Sequence, residues 1–140
     1  MVSKVLFSHE SDDYITPVGL MDYLKTKYDF NLDACSTDDN PTVLPNWYTK
    51  EDDGLLCGWI TWTYCNPPYS QVSLWVKKAI EEQKKGNKSV MLLPARTDTK
   101  WFHEFLYKKK NIEITFWKGR LKFHGTKSSA PFPSMVVVLK

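Results

Sequence analysis

A chain of 140 residues, 42% apolar and 14% aromatic, has the size of one domain and enough apolar side chains for a sizeable core. It holds no apolar run of about eighteen residues, and residues 1–10 lack a basic stretch followed by a long apolar one, so neither a membrane span nor a signal peptide is predicted and a cytoplasmic protein is expected. The net charge of +3 hides an asymmetry: residues 1–70 carry 4 Lys against 11 Asp or Glu (−7), and residues 71–140 carry 15 Lys or Arg against 5 Asp or Glu (+10), a separation expected of a protein with a polyanionic partner.

Thr16 and Pro17 precede Leu20, Met21, Leu24 and Tyr28, which predicts a helix with a hydroxyl cap, proline in its first turn and apolar residues at helical spacing. A short strand follows over residues 30–34. Residues 36–58 are rich in Asp, Asn, Pro and Thr without a period, and a loop of that length points to function. Residues 61–65 are β-branched and aromatic and run into Asn66-Pro67-Pro68-Tyr69, where the prolines end any strand ladder. A second helix is predicted with Ser70 as cap, Val72, Trp75, Val76, Ala79 and Ile80 as its inner stripe, and Gly86 at its end.

Residues 90–93 are wholly apolar, as in a central parallel strand covered on both faces. Thr97 or Asp98 then opens a helix whose inner face is Trp101, Phe102, Phe105 and Leu106, followed by a strand over residues 112–116. Residues 120–123 and 135–139 are both strand-like with no helix between them, so they are expected to pair antiparallel. The alternation predicts an α/β fold, one domain over residues 1–140, with a mostly parallel sheet ending in an antiparallel strand pair.

Asn66-Pro67-Pro68-Tyr69 is the sharpest chemical signal, because ligands of open α/β sheets bind where strands end. These residue types suit methylation of an exocyclic amine whose lone pair is delocalised into a purine ring. The Asn66 side-chain carbonyl and a neighbouring backbone carbonyl can each accept one amine hydrogen, which leaves a more electron-rich nitrogen facing a methyl donor. Pro67 and Pro68 stiffen that backbone and bring no competing N–H. The Tyr69 ring can stack on a base taken out of its helix. The same tetrapeptide also fits a plain proline turn with Tyr69 packed inward. Cys35, Cys57 and Cys65 form no C-x-x-C pair and fit small buried thiols in a reducing compartment. His9, His103 and His124 are too scattered for a metal or a general base, His103 fits a packing role, and no metal is expected.

In order and spacing the chain resembles the small phage-type DNA adenine-N6 methyltransferases of the Asn-Pro-Pro-Tyr group. The resemblance runs from Thr16-Pro17 through Leu32-Asp33-Ala34-Cys35, Asp53-Gly54-Leu55 and Trp59 to Asn66-Pro67-Pro68-Tyr69 and Trp75. It continues through Leu93-Pro94-Ala95-Arg96-Thr97 and Trp101-Phe102 to Gly119-Arg120-Leu121-Lys122-Phe123. It implies a reduced Rossmann-like S-adenosylmethionine-dependent methyltransferase fold, with S-adenosylmethionine held around Thr16, Pro17, Asp33, Ala34, Cys35, Asp53 and Asn66. It also implies catalysis at Asn66, Pro67, Pro68 and Tyr69 on double-stranded DNA with a flipped adenine. One departure stands out: no G-x-G follows the first predicted strand, where glycines usually let the backbone approach the cofactor, and Asp33-Ala34-Cys35-Ser36-Thr37 stands there instead. Taken singly, Thr16 reads equally as a helix cap and Asp33 as a turn residue.

For DNA the candidates are Arg96, Lys100, Lys118, Arg120 and Lys122, with residues 108–110 as a less specific phosphate contact. No segment is long enough for a separate recognition domain, so specificity is expected from short loops or from a second copy of the chain in a homodimer. Two further readings stay open on the residues alone. The tetrapeptide also serves RNA adenine or a protein glutamine, and the basic second half alone suits a non-catalytic DNA-binding protein derived from a methyltransferase.

Overall fold

The computed structural model describes residues 14–140; the readings of residues 1–10 and of His9 lie outside that range. Helix α1 (Val18–Lys27) buries Leu20, Met21 and Leu24, as their spacing requires. Its start differs from expectation. Pro17 is the N-cap and no side chain caps the helix, because the buried Thr16 hydroxyl is engaged with Tyr64 at 2.7 Å.

Six strands follow: β1 (Leu32–Asp33), β2 (Asn46–Trp47), β3 (Thr63–Cys65), β4 (Ser89–Pro94), β5 (Ile112–Phe116) and β6 (Ser134–Leu139). They form one sheet in the order β2-β1-β3-β4-β6-β5. The first four in that order are mutually parallel, and β6 runs antiparallel to both β4 and β5. Every residue of β4 and β6 is buried, so these two strands form the centre of the core. The apolar run of β4 was expected between parallel neighbours; it has a parallel one, β3, on one side only.

Between β3 and β4 lie a 3₁₀ turn (Tyr69–Gln71) and helix α2 (Val72–Lys84), which buries Val72, Trp75, Val76, Ala79 and Glu82. Ser70 sits within the turn, and Gln71 holds the N-cap position. Gly86 closes the helix as expected, at φ 94°, with its N–H donating to the Gln83 carbonyl. Glu82 is buried at the foot of α2 and accepts from Lys78, Asn87 and the Trp59 N–H, pinning residue 59 to the helix. A short π-helical segment (Phe102–Leu106) follows β4 and buries Phe102 and Leu106. Thr99, rather than Thr97 or Asp98, braces its start by accepting from the Phe102 N–H and donating to the Arg96 carbonyl.

The predicted pairing of residues 120–123 with residues 135–139 does not form. Residues 135–139 belong to β6, and both edges of β6 are already taken by β4 and β5. Residues 120–123 keep their alternation, with Leu121 and Phe123 buried and Arg120 and Lys122 exposed, but the alternation packs side chains without building a ladder. Among the described residues no helix is long and apolar enough to cross a membrane.

Strands β1, β3, β4 and β5 share one direction, so the chain leaves the sheet after Asp33, Cys65, Pro94 and Phe116 at one edge. From β1 the sheet extends to β2 on one side and to β3 and β4 on the other. That reversal of order leaves a crevice above the carboxyl ends of β1 and β3.

Candidate active site

A cavity of about 570 Å³ lies in this crevice, within the range of small-molecule sites. The segment before α1 lines it with Tyr14, Ile15 and Thr16, the end of β1 with Asp33, Ala34 and Cys35, and the end of β3 with Tyr64, Asn66, Pro67 and Pro68. The long loop between β1 and β3 covers it with Thr42, Thr49, Asp53 and Gly54, among others. Residues from Tyr14 to Trp75 therefore meet around one volume. Pro17 and Tyr69 are not on its wall.

Asp33 is 2% exposed. Its carboxylate accepts from the Thr42 hydroxyl at 2.7 Å and from the Cys35 N–H at 3.1 Å. Burial pushes its pKa up to about 6, against the lowering effect of the hydrogen bonds from Thr42, Cys35 and Ser36. Among the described residues no Lys or Arg pairs with it. A buried carboxylate on a cavity wall, held by neutral donors only, favours a cationic or hydroxyl-bearing ligand.

A close backbone approach within the protein is found at Gly54. A side-chain carbon there would stand 2.1 Å from the Ala34 carbonyl oxygen and 3.0 Å from the Trp75 ring, so only glycine lets the long loop lie on the end of β1. Trp59 ties it down by donating its indole N–H to the Gly54 carbonyl at 2.9 Å. Asp53, at φ 59°, turns the chain into this contact, and its carboxylate accepts from the Leu55 N–H at 3.1 Å.

Asn66 follows β3 and has its amide fixed on one side. Its Nδ2 donates to the Tyr14 carbonyl and, at 3.2 Å, to the Thr16 hydroxyl oxygen. A carbonyl can only accept, so the nitrogen must face Tyr14 and the oxygen must face away. That oxygen, Oδ1, is buried and has no hydrogen-bond partner among the described residues. The Pro68 carbonyl is taken by the Gln71 N–H at 3.0 Å.

Tyr69 faces the other side of this loop. Its ring stacks on Tyr14 at 5.1 Å between centroids and 25° between planes, and it meets Phe132 edge-on at 5.1 Å and Phe123 at 6.3 Å. Tyr14 is thus enclosed by Tyr69, Phe123 and Phe132. The Tyr69 hydroxyl is buried without a partner, and burial first, then Tyr14, pushes its pKa up, with Arg96 acting in the opposite direction. The face of Tyr69 expected to receive a base is occupied by the Tyr14 ring.

Arg96, Lys118, Arg120 and Lys122 are exposed on the chain leaving β4 and β5 at the same edge as Asn66, and Lys100 is exposed just beyond Arg96. Phe123 carries the residue 117–124 segment back to Tyr69. Residues 108–110 precede β5 and so lie at the opposite edge of the sheet. Cys65 is buried and Cys35 and Cys57 are half-buried, and among the described residues no two of them form a disulfide. His103 is exposed, with its Nε2 2.7 Å from the Thr97 carbonyl oxygen, and packs beside Phe102 and Tyr107.

Sequence reasoning missed Tyr14, Thr42, Tyr64 and Phe132. Tyr64 carried a signal, since strand alternation puts it on the same face as Asn66. Thr42 carried none, because only the tertiary path of the loop brings it to Asp33.

Residues 3–139 match the family described as DNA N-6-adenine-methyltransferase (Dam). A protein of Escherichia phage T1 named DNA N-6-adenine-methyltransferase is 38% identical over 96 residues, covering 66% of this chain and 40% of that protein. A protein of the same name from Haemophilus phage HP1 (strain HP1c1) is 34% identical over 119 residues, covering 81% of this chain and 67% of that protein. The chain therefore spans well under half the length of the T1 relative and about two thirds of the HP1 one.

Proposed function

The chain belongs to the DNA N-6-adenine-methyltransferase (Dam) family, and we propose that it transfers a methyl group from S-adenosylmethionine to the N6 amino group of adenine in double-stranded DNA. The observation that carries this reading is the Asn66 side-chain oxygen, buried and unpartnered beside the cavity while the nitrogen of the same amide is held by Tyr14 and Thr16. A buried acceptor without a donor costs on the order of 1–3 kcal/mol, a cost that an arriving N–H group removes.

The cavity fits S-adenosylmethionine in size and in donor set. Asp33, Thr16, Ala34, Cys35 and Asp53 would hold it, Asp33 favouring its positive charge or accepting from its hydroxyls, and Gly54 allowing the loop to close over it. When bound it supplies an activated methyl group and leaves as a neutral thioether, which calls for no metal. Asn66 Oδ1 accepts one hydrogen of the adenine amine. With the Pro68 carbonyl engaged, the Pro67 carbonyl is the neighbouring acceptor for the second. Two acceptors on the hydrogens pull electron density onto the nitrogen and aim its lone pair. Pro67 and Pro68 keep this geometry from relaxing.

A base reaching Asn66 stacks on Tyr69 in place of the Tyr14 ring, between Phe123 and Phe132. Such a base must be flipped out of the duplex. Arg96, Arg120 and Lys122 flank this aromatic pocket and suit phosphate contacts. The sheet, mostly parallel with β6 inserted antiparallel between β4 and β5, supports a reduced Rossmann-like methyltransferase fold. Methylation of host or phage DNA would take place in the host cytoplasm.

The test is methyl incorporation from labelled S-adenosylmethionine into duplex DNA, RNA and protein side by side. Label in DNA alone is expected. Label in RNA or protein but not in DNA would reassign the acceptor, and the absence of any calorimetric heat with the cofactor would turn the reading to a non-catalytic DNA-binding protein.

A further inference from the structure

An asparagine amide has nearly the same shape in its two orientations but opposite chemistry, with an acceptor facing one way and two donors the other. Only the orientation that presents Oδ1 can serve an amine donor, so whatever selects it sets the fraction of competent molecules. The Tyr14 carbonyl selects it on one side. The second partner of the same nitrogen is the Thr16 hydroxyl, which can donate as readily as accept and would support the wrong orientation if its hydrogen pointed at Asn66.

Tyr64 decides which way that hydroxyl works. Its side chain, on β3 two residues before Asn66, is wholly buried. The great majority of buried phenol hydrogens are paired, and the Thr16 oxygen at 2.7 Å is the acceptor beside this one. A hydroxyl oxygen is tetrahedral: one direction is its own carbon, two are lone pairs and one is its hydrogen. With one lone pair taken by Tyr64 and the other by the Asn66 N–H, the Thr16 hydrogen is left the remaining direction, away from Asn66. We propose that Thr16 and Tyr64 are positioning residues for the reaction, a two-hydroxyl relay from the core of the sheet that holds the Asn66 amide with its oxygen toward the substrate amine. The relay also joins the two elements that must be in register, since Tyr64 belongs to β3 and Thr16 to the segment entering α1.

The inference rests on methylation as the activity, and the experiment separates the two. Turnover is measured on unmethylated bacterial DNA at saturating DNA and S-adenosylmethionine for the wild-type chain, Tyr64→Phe, Thr16→Val, Thr16→Ser, Asn66→Ala and the double variant Tyr64→Phe/Asn66→Ala. Tyr64→Phe keeps the ring and its packing, and Thr16→Val keeps the volume. Each should lower kcat about fivefold to tenfold, the worth of one buried hydrogen bond. Thr16→Ser should recover turnover relative to Thr16→Val. In the double variant the phenylalanine should add nothing to the loss from Asn66→Ala, because the relay acts only through that amide. A merely structural Tyr64 would instead leave kcat alone or add its effect in full to that of Asn66→Ala, and either result overturns the proposal. If the wild-type chain itself methylates nothing, the activity has failed rather than the relay. Should Tyr64→Phe not fold, the Thr16→Val and Thr16→Ser pair decides, and equal kcat in the two overturns the relay.

Discussion

The two sides of Asn66 are built on opposite terms. Toward β1 lies an open cavity whose polar groups include the buried carboxylate of Asp33, already held by Thr42 and the Cys35 N–H. Toward the residue 117–124 segment lies a closed aromatic cluster in which Tyr14 fills the face of Tyr69. One side is prepared for a ligand before the ligand arrives, and the other must give up a contact to receive one. Preformed polar sites bind small molecules with little reorganisation, whereas a site filled by its own side chain takes its ligand only in the fraction of molecules that open.

The largest effect is expected where the two sides meet. Asn66→Ala removes the acceptor common to both and should lower kcat by at least about two orders of magnitude, as for loss of a positioned charge-stabilising group, with cofactor affinity nearly unchanged by calorimetry. Next is Gly54→Ala, which puts a carbon against the Ala34 carbonyl. It should cost about 1–3 kcal/mol of stability by denaturant titration and weaken S-adenosylmethionine while leaving DNA affinity in place. Equal weakening of both would mean that the polar and aromatic sides are not separate.

Asp33 gives the polar side a pH dependence. Its pKa is raised by burial to about 6, so the contribution of this group to stability is fully present below its unfolded value near 3.8 and is lost as pH rises through about 6. Asp33→Asn should therefore stabilise the ligand-free protein at pH 8 by about 1–2 kcal/mol and lose that advantage near pH 4. Cofactor affinity should run the other way in the wild type, falling as pH drops through about 6 and the carboxylate gains its proton, and Asp33→Asn should be weak and flat across the same range. A wild-type affinity flat from pH 5 to 8 would remove Asp33 from the cofactor.

Tyr14→Ala tests the closed side. The backbone carbonyl that holds Asn66 remains, and only the ring that competes for Tyr69 is lost, so KM for DNA should fall severalfold, about threefold to tenfold. A rise in KM would make Tyr14 part of the pocket wall rather than its occupant. The smallest effect belongs to the rim: Arg120→Ala should reduce the slope of log affinity against log salt by about one, and the same change in Lys109→Ala, at the opposite edge, would move the DNA away from the Asn66 side.

How much of this was legible in the sequence divides along the same line. The elements with strong periods were readable: α1 and α2 follow their apolar spacing, Gly86 ends α2, and β5 falls on the residues predicted for it. Residues 120–123 had the period of a strand, yet a ladder also needs a free neighbouring edge, and occupancy of the β6 edges is a property of the whole sheet. In the site, Asn66 announced itself through its tetrapeptide and its position at a strand end, whereas Asp33 came only with the family resemblance, since taken singly it reads as a turn residue. Thr16 could be read as a cap because its real partner, Tyr64, is 48 residues away. The role of Gly54 had no local signal either, because it meets Ala34 only once the long loop has folded back. Local signals report local bonds, and these contacts are made across the crevice.

The most direct measurement incubates the chain with tritiated S-adenosylmethionine and unmethylated bacterial DNA and separates the nucleosides. The account predicts label in N6-methyladenine and its loss in Asn66→Ala. Unlabelled adenine in the presence of bound cofactor, or label that survives Asn66→Ala, would contradict it.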